Sequence, residues 1–388
     1  HLPLANGDGT YADPAEITTG GSPTTFVAGD FNEDGADDLA VLVGSEDEIE
    51  VFLSHGDGSF ADPIVYEVGG GPADLVAGDV DGDGRLDLAT ANSLNTGTNS
   101  VLFGNGDGTF VAPLKMTFDR EGRGSDAADF NGDGRLDVVT ANTFADDVSI
   151  SLGNGDGTFA PPTHIDLGNF NEDVVAADFN NDGDVDIAVT AGSNAQLVLA
   201  LGNGDGTFAA PASFNTEFGP NGLVAADLDN DGNLDAVVAN QSSNSISILL
   251  GNGDGTFAAA VHRSAGFSPQ ALEATDLDGD GDVDLAVAAG NSDDVLVFVN
   301  NGDGTFPGPV AVDVADNPTD IDVADLNGDG NPDIAVTSPG FGSANVTVLF
   351  GSADATTYTR ADFAVNALAS ASAMALTDAD GDGNIDVV

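Results

Sequence analysis

The sequence has 388 residues, and its 7 Lys plus Arg stand against 66 Asp plus Glu, a formal net charge of −59. That balance excludes nucleic-acid binding through a basic surface and disfavours docking on anionic lipid. The absence of cysteine excludes disulfides, thiolate catalysis and Cys-ligated zinc, and no apolar run approaches the roughly 20 residues of a membrane span.

The first residues from His1 show neither a basic n-region nor an apolar h-region, so a signal peptide is expected to lie outside this stretch, and a longer parent chain stays open. Leu2 to Ala5 is at most a stub of a strand. Asn6-Gly-Asp-Gly-Thr-Tyr11 reads as a hairpin turn, and Thr10 to Thr18 as the outer strand that follows it. From there the chain repeats. A nine-residue stretch with Asp or Asn at positions one, three, five and nine, and Gly at six, starts at Asp30, Asp79, Asp129, Asp178, Asp227, Asp276, Asp325 and Asp378. The intervals are 49, 50, 49, 49, 49, 49 and 53 residues. A short loop with oxygen side chains on alternate residues, a Gly for the sharp turn and a closing Asp suits a hard cation such as Ca²⁺. The hairpin marker keeps the same beat: His55 to Phe60, Asn105 to Phe110, Asn154 to Phe159, Asn203 to Phe208, Asn252 to Phe257 and Asn301 to Phe306, with a degenerate copy from Gly351 to Tyr358.

Within one unit, Leu223 to Asp227 is a short apolar strand entering a loop. Leu234 to Ala239 is a β-branched strand, Ser245 to Leu250 alternates polar and apolar residues, and Phe257 starts a fourth strand after the turn. No segment keeps a 3.6-residue apolar period, so helix is expected to be nearly absent. Four antiparallel strands per repeat is the pattern of an all-β protein, a β-propeller of four-stranded blades forming a single domain over residues 1–388. Seven blades, from Phe26 to about Val365, are expected to be complete. The half-unit Ala373 to Val388 joins the N-terminal outer strand in an eighth, shared closing blade, because closure hides strand edges. The alternatives are a seven-bladed ring with surplus strands, or half-blades completed by neighbouring chains. Small residues such as Ala176, Ala177, Ala188, Ala225, Ala226 and Ala236 fit crowded inner strands.

The loop motif Asp-x-(Asp/Asn)-x-Asp-Gly-x-x-Asp, with the Gly-Asp-Gly-(Thr/Ser)-Phe turn, resembles the FG-GAP and VCBS repeats, calcium-bearing propellers that include the integrin α-subunit head. The literal FG and GAP tripeptides are mostly replaced, as in Phe159-Ala-Pro-Pro162 and Phe208-Ala-Ala-Pro211, which places the chain nearer the VCBS branch. Integrin-like ligand binding does not transfer. The resemblance implies about eight structural Ca²⁺ ions held by Asp30, Asn32, Asp34 and Asp38; by Asp79, Asp81, Asp83 and Asp87; by Asp129, Asn131, Asp133 and Asp137, with the Arg135 carbonyl; and by Asp178, Asn180, Asp182 and Asp186. The remaining sets are Asp227, Asp229, Asp231 and Asp235; Asp276, Asp278, Asp280 and Asp284; Asp325, Asn327, Asp329 and Asp333; and Asp378, Asp380, Asp382 and Asp386. The hairpin turns carry one carboxylate each and read as turns rather than metal sites.

Candidate chemistry outside the loops is thin. His1, His55, His164 and His262 are scattered, and no nucleophile-elbow or phosphate-loop pattern is present. Lys115, Arg120, Arg123 and Arg135 gather four of the seven basic residues, either as a counterweight to the acidic field or as a site for an anionic group. The stretches Asn92 to Asn99 and Ser338 to Asn345 are longer loops of the kind on which propellers vary their contacts. The expectation is a non-enzymatic, extracellular, calcium-binding module for adhesion to protein or glycan, with no nucleic-acid partner and no membrane insertion. A self-assembling surface component and a carbohydrate-active enzyme are the alternatives.

Overall fold

In the computed structural model, the described residues are 19–21, 24–55, 59–79, 83–92, 98–111, 114–117, 122–143, 145–155, 158–168, 171–327, 329–338, 344–365, 376–377 and 386–387. They contain strands and turns and no helix. Seven four-stranded antiparallel sheets follow one another along the chain, spanning residues 25–67, 72–117, 122–166, 171–215, 220–264, 269–313 and 320–365. Each sheet is a simple meander in which neighbours in sequence are neighbours in the sheet.

Blade five shows why the residues fold this way. Its inner strand, Pro220–Ala226, pairs with Asp235–Asn240 in the register Leu223↔Val238 and Ala226↔Asp235, with a shift between Pro220 and Leu223 that bends its first turn of chain. The second strand is buried at all six positions and is correspondingly apolar, Asp-Ala-Val-Val-Ala-Asn. The third strand, Ser245–Leu249, is also buried throughout, while the outer Val261–Ser264 is mostly exposed. Alternating side chains of the buried strands face the two neighbouring blades. Val237, Ala239, Ile246 and Ile248 of blade five therefore share one core with Leu285, Val287, Ala289 and Phe298 of blade six. A lone blade would leave both of these faces in water, and stacking removes them.

The inner strands stand beside one another in chain order from blade one to blade seven, the arrangement of blades around an axis. The complete sheets number seven, the count of the seven-bladed alternative. The eighth unit contributes a two-stranded sheet, Leu376–Thr377 with Asp386–Val387, whose first strand lies beside the inner strand of blade seven. The N-terminal strands that a shared closing blade requires, Leu2 to Ala5 and Thr10 to Thr18, fall outside the described residues.

One boundary differs from the sequence expectation. Phe257 does not begin the outer strand; it forms a single bridge to Gly251, and the strand starts four residues later at Val261. The same isolated bridge recurs at Phe60, Phe110, Phe159 and Phe208. At Phe110, Phe208 and Phe257 the ring packs against the blade before, as described below. In blade seven the degenerate turn lets the strands Ala344–Gly351 and Tyr358–Val365 pair along their full eight-residue length.

Candidate metal loops

Each acidic loop of the seven complete sheets joins an inner strand to the second strand of its blade, so these seven lie on one face of the ring. In the fifth loop the first ligand candidate, Asp227, accepts the Asp231 N–H at 3.2 Å on Oδ1 and the Gly232 N–H at 2.9 Å on Oδ2. Asp229 Oδ1 accepts the Asp231 N–H at 3.3 Å, and Asp231 Oδ1 accepts the Asn233 N–H at 2.8 Å. Gly232 has φ of +86° with nothing near its missing Cβ, so backbone conformation rather than crowding selects glycine there. The closing Asp235 is fully buried. Its Oδ2 accepts the Leu228 N–H at 2.8 Å, and its Oδ1 accepts the Gly251 N–H at 2.7 Å from the end of the third strand.

This pattern recurs. Asp30, Asp129, Asp178 and Asp325 each accept backbone N–H groups from positions five and six of their own loops. Asp79 does the same toward Asp83 and Gly84, whereas Asp276 accepts from positions four and six, Gly279 and Gly281. Where position three is Asn, its amide oxygen takes the carboxylate's part: Asn32, Asn131, Asn180 and Asn327 Oδ1 accept the N–H of Asp34, Asp133, Asp182 and Asp329. The closing residues Asp38, Asp87, Asp137, Asp186 and Asp284 each hold an N–H beyond the third strand, and Asp333 holds that of Gly351, the last residue of its third strand. Asp81, Asp378, Asp380 and Asp382 lie outside the described residues, as does the side chain of Asp386.

The loops thus gather hard oxygen atoms and no nitrogen or sulfur ligand. Asp227, Asp229 and Asp235 each bring a carboxylate oxygen within 4.8 Å of the others, and so do Asp276, Asp278 and Asp284. Burial pushes the carboxyls of Asp38, Asp186, Asp235, Asp284 and Asp333 up to about 6, against the pull of two backbone hydrogen bonds, and their loop partners add like charge. Asp229 and Asp278 are raised for the same first reason, burial, with the neighbouring carboxylates contributing. Each carboxylate oxygen that accepts one N–H keeps a further lone pair. A divalent cation among them would convert mutual repulsion into attraction, and the donor set fits Ca²⁺.

The hairpin turns behave as turns. Asp107, Asp205 and Asp254 each turn their carboxylate onto the backbone N–H and hydroxyl of the Thr two residues on, and the hydroxyl bonds hold Asp107 and Asp205 below the usual carboxylate range. Their neighbours, however, are the loops of the preceding blade. Gly108 N–H donates to the Phe31 carbonyl, Gly206 N–H to Phe130 and Gly304 N–H to Leu228, each at 3.0 Å. In three of these turns the terminal ring packs edge-on against the ring at loop position two of the blade before: Phe110 on Phe31 at 5.5 Å, Phe208 on Phe130 at 5.7 Å, Phe257 on Phe179 at 5.9 Å. Side-chain amides continue the chain of contacts, with Asn181 Nδ2 on Asn233 Oδ1 at 2.7 Å and Asn230 Nδ2 on Asp282 Oδ1 at 2.6 Å. The sequence marked both partners by their fixed spacing but not the pairing across blades.

Of the basic group, Arg135 reaches Asp133 of its own loop at 3.4 Å, as Arg85 reaches Asp83 at 2.7 Å. Arg120 and the side chains of Lys115 and Arg123 lie outside the described residues, as do 93–97 and 339–343 in the two longer loops. His164 and His262, on outer strands, place Nδ1 at 3.2 and 2.9 Å from the buried Ser149 and Ser247 hydroxyls.

Blades of four strands, joined by acidic loops that are latched from one blade to the next, define a repeat β-propeller. The FG-GAP-like repeat signature matches residues 39–90, 79–140, 129–189, 178–238, 227–287 and 276–336, and the chain belongs to that family. No curated protein sequence matches it. Among solved structures, it is similar to an Agrocybe aegerita lectin described as recognising non-reducing terminal N-acetylglucosamine, with 26% identity over 74% of this chain and 80% of the lectin, TM-score 0.53. Saccharomyces cerevisiae Sqt1 shares the fold at TM-score 0.65 and 11% identity, over 99% of this chain and 98% of that one. The BBS1 N-terminal region, solved in complex with ARL6, shares it at TM-score 0.55 and 13% identity, over 84% and 92%.

Proposed function

We propose that this protein is an extracellular, calcium-stabilised, non-catalytic binding module whose partner is a glycan or a protein. The observation that carries the reading is the convergence of Asp227, Asp229 and Asp235, and of Asp276, Asp278 and Asp284, at loop positions repeated along the chain. When bound, Ca²⁺ supplies charge neutralisation that lets these loops close; the residues position it by fixing every carboxylate on backbone N–H groups. A repeated ion that ties inner to second strand in each blade is a structural device, leaving the ring's other surfaces for recognition. Similarity to a lectin supports a glycan partner, and the BBS1–ARL6 complex supports a protein partner.

One group of catalytic residue types is not arranged for a relay. Ser149, His164 and Asp147 resemble a hydrolytic triad in composition, but the Ser hydroxyl and the Asp carboxylate both address the same ring nitrogen, Nδ1, at 3.2 and 3.8 Å, and Ser149 is fully buried. A relay needs the two groups on opposite nitrogens and an accessible nucleophile.

Equilibrium dialysis against Ca²⁺, followed by thermal unfolding with and without EGTA, tests the metal part. Several ions per chain and a clearly lower melting temperature in chelator are expected; no bound ion with an unchanged melt would overturn it. A glycan and matrix-protein binding screen of the Ca²⁺-loaded protein tests the binding part.

A further inference from the structure

Four glutamates gather at one corner of blade one: Glu46 in the turn before its third strand, Glu48 and Glu50 on that strand, and Glu67 on the outer strand. The second strand runs away from the acidic loop, so the turn and Glu48 stand at the face of the ring opposite the loops. Glu48 and Glu50 are two residues apart on one strand and share a face, and the register sets Glu67 directly opposite Glu48.

Glu50 is 2% exposed, and the repeat does not ask for it. The matching residues of the other six sheets are Ser100, Ser149, Val198, Ser247, Leu296 and Thr347. Its Oε1 accepts the Gly20 N–H at 2.7 Å, whereas its Oε2 is buried with no hydrogen-bond partner. A carboxylate has room for about four donors, and taking it out of water with one N–H in exchange is costly. Glu48 addresses the same place. Glu50 Oε1 and Glu48 Oε1 lie 2.8 and 3.2 Å from the point where a Cβ on Gly20 would sit. Gly20 does not have the positive φ that selects glycine elsewhere in the chain; a side chain there would instead fill the space beside the two carboxylates. Burial raises the Glu48 carboxyl above its usual range, and the charges of Glu50, Glu46 and Glu67 add to the shift.

Blades three and six also set two acids opposite each other at this register step, Asp147 with Asp166 and Asp294 with Asp313. In each of them a basic side chain attends. His164 Nδ1 stands 3.8 Å from Asp147 Oδ2, and Arg360 reaches Asp313 at 2.7 Å. Among the described residues, no Lys, Arg or His forms an ion pair with Glu46, Glu48, Glu50 or Glu67. Blade one thus concentrates more carboxylate at this step and lacks the counter-charge, which points to a cation from solution.

We propose that Glu48 and Glu50 chelate a divalent cation in the space beside Gly20, with the exposed Glu67 side chain closing over it. An all-carboxylate donor set favours Ca²⁺. The gradation from buried Glu50 through half-buried Glu48 to exposed Glu67 gives the ion a way in. Bound there, it would tie the chain's entry into blade one to the third and fourth strands. The site stands outside the repeated loops and goes beyond the binding-module reading.

The test counts Ca²⁺ on the full chain by equilibrium dialysis and locates it by anomalous diffraction from crystals grown in Ca²⁺. Glu50→Gln and Glu48→Gln/Glu67→Gln should each bind one equivalent fewer than wild type, with the loops still loaded. Wild type should show an anomalous peak beside Gly20. The double variant changes only half-buried and exposed side chains, so it reads the site even where Glu50→Gln misfolds. An unchanged count in the double variant, or anomalous peaks at the loops alone, overturns the site; a proton shared by Glu48 and Glu50 would give that result. Filled loops beside an empty site leave the calcium-stabilised reading standing, whereas loops and site both empty overturn the two together.

Discussion

Asp235 and Gly251 lie 16 residues apart, yet the Gly251 N–H reaches the buried Asp235 Oδ1 at 2.7 Å. The bond ties the last residue of an acidic loop to the end of the third strand, and its companion, Leu228 N–H to Oδ2, ties the loop's start to its finish. Asp235→Ala strands two buried N–H groups. At roughly 1–3 kcal/mol for each unsatisfied group, a loss of about 2–6 kcal/mol is expected in urea unfolding. A loss below about 1 kcal/mol would show that water satisfies both donors equally well.

Removing one carboxylate from a triad should remove one ion. Asp227→Ala and Asp276→Ala are each expected to lower the Ca²⁺ stoichiometry by a single equivalent in calorimetric titration, leaving the other loops loaded. An unchanged stoichiometry in both variants would mean that the triads are not where the ion sits.

The edge-on pair Phe130 and Phe208 joins blade three to blade four at 5.7 Å, and Phe130 is 1% exposed. Phe130→Ala should cost about 3–5 kcal/mol through the cavity it leaves. A double-mutant cycle with Phe208→Ala should return a coupling of about 0.5–1.5 kcal/mol, the worth of the ring contact itself. Additive losses would reduce the pair to independent packing.

Glu273 lies on the inner strand of blade six, where burial pushes its carboxyl up to about 7 and Asp322 and Asp320 of blade seven reinforce the shift. A carboxyl raised above its unfolded value of 4.5 contributes stability that is present below that pH and is lost as pH rises through about 7. Wild type should therefore lose melting temperature between pH 5 and 8 relative to Glu273→Gln, with the two converging in acid. Parallel pH profiles would place the charge in solvent.

The blade pattern was legible in the sequence because its signals are local: nine-residue loops, two-residue turns and period-two strands such as Ser245–Leu249. The acidic positions of the loops stood out by their spacing, and the crowding of the first two strands by their small residues. The latch from Asp235 to Gly251 was not legible, since a hydrogen bond to a backbone N–H leaves no mark on the identity of its donor. The placement of Phe257 shows the same limit. As a residue after a turn it reads as the start of a strand, and its packing on Phe179 of the previous blade cannot be read from one unit alone.

The clasp between the turn of one blade and the loop of the blade before has a consequence for ancestry. Gly206 meets Phe130, and Gly304 meets Leu228, through the same atoms at the same separation. These units thus present matching fronts and backs to their neighbours. Unequal crossing-over that inserts or deletes a whole unit of about 49 residues would join surfaces that already fit. Loss of half a unit would leave a front with no back, so the gene is expected to drift in whole blades, with novelty confined to residues outside the clasp.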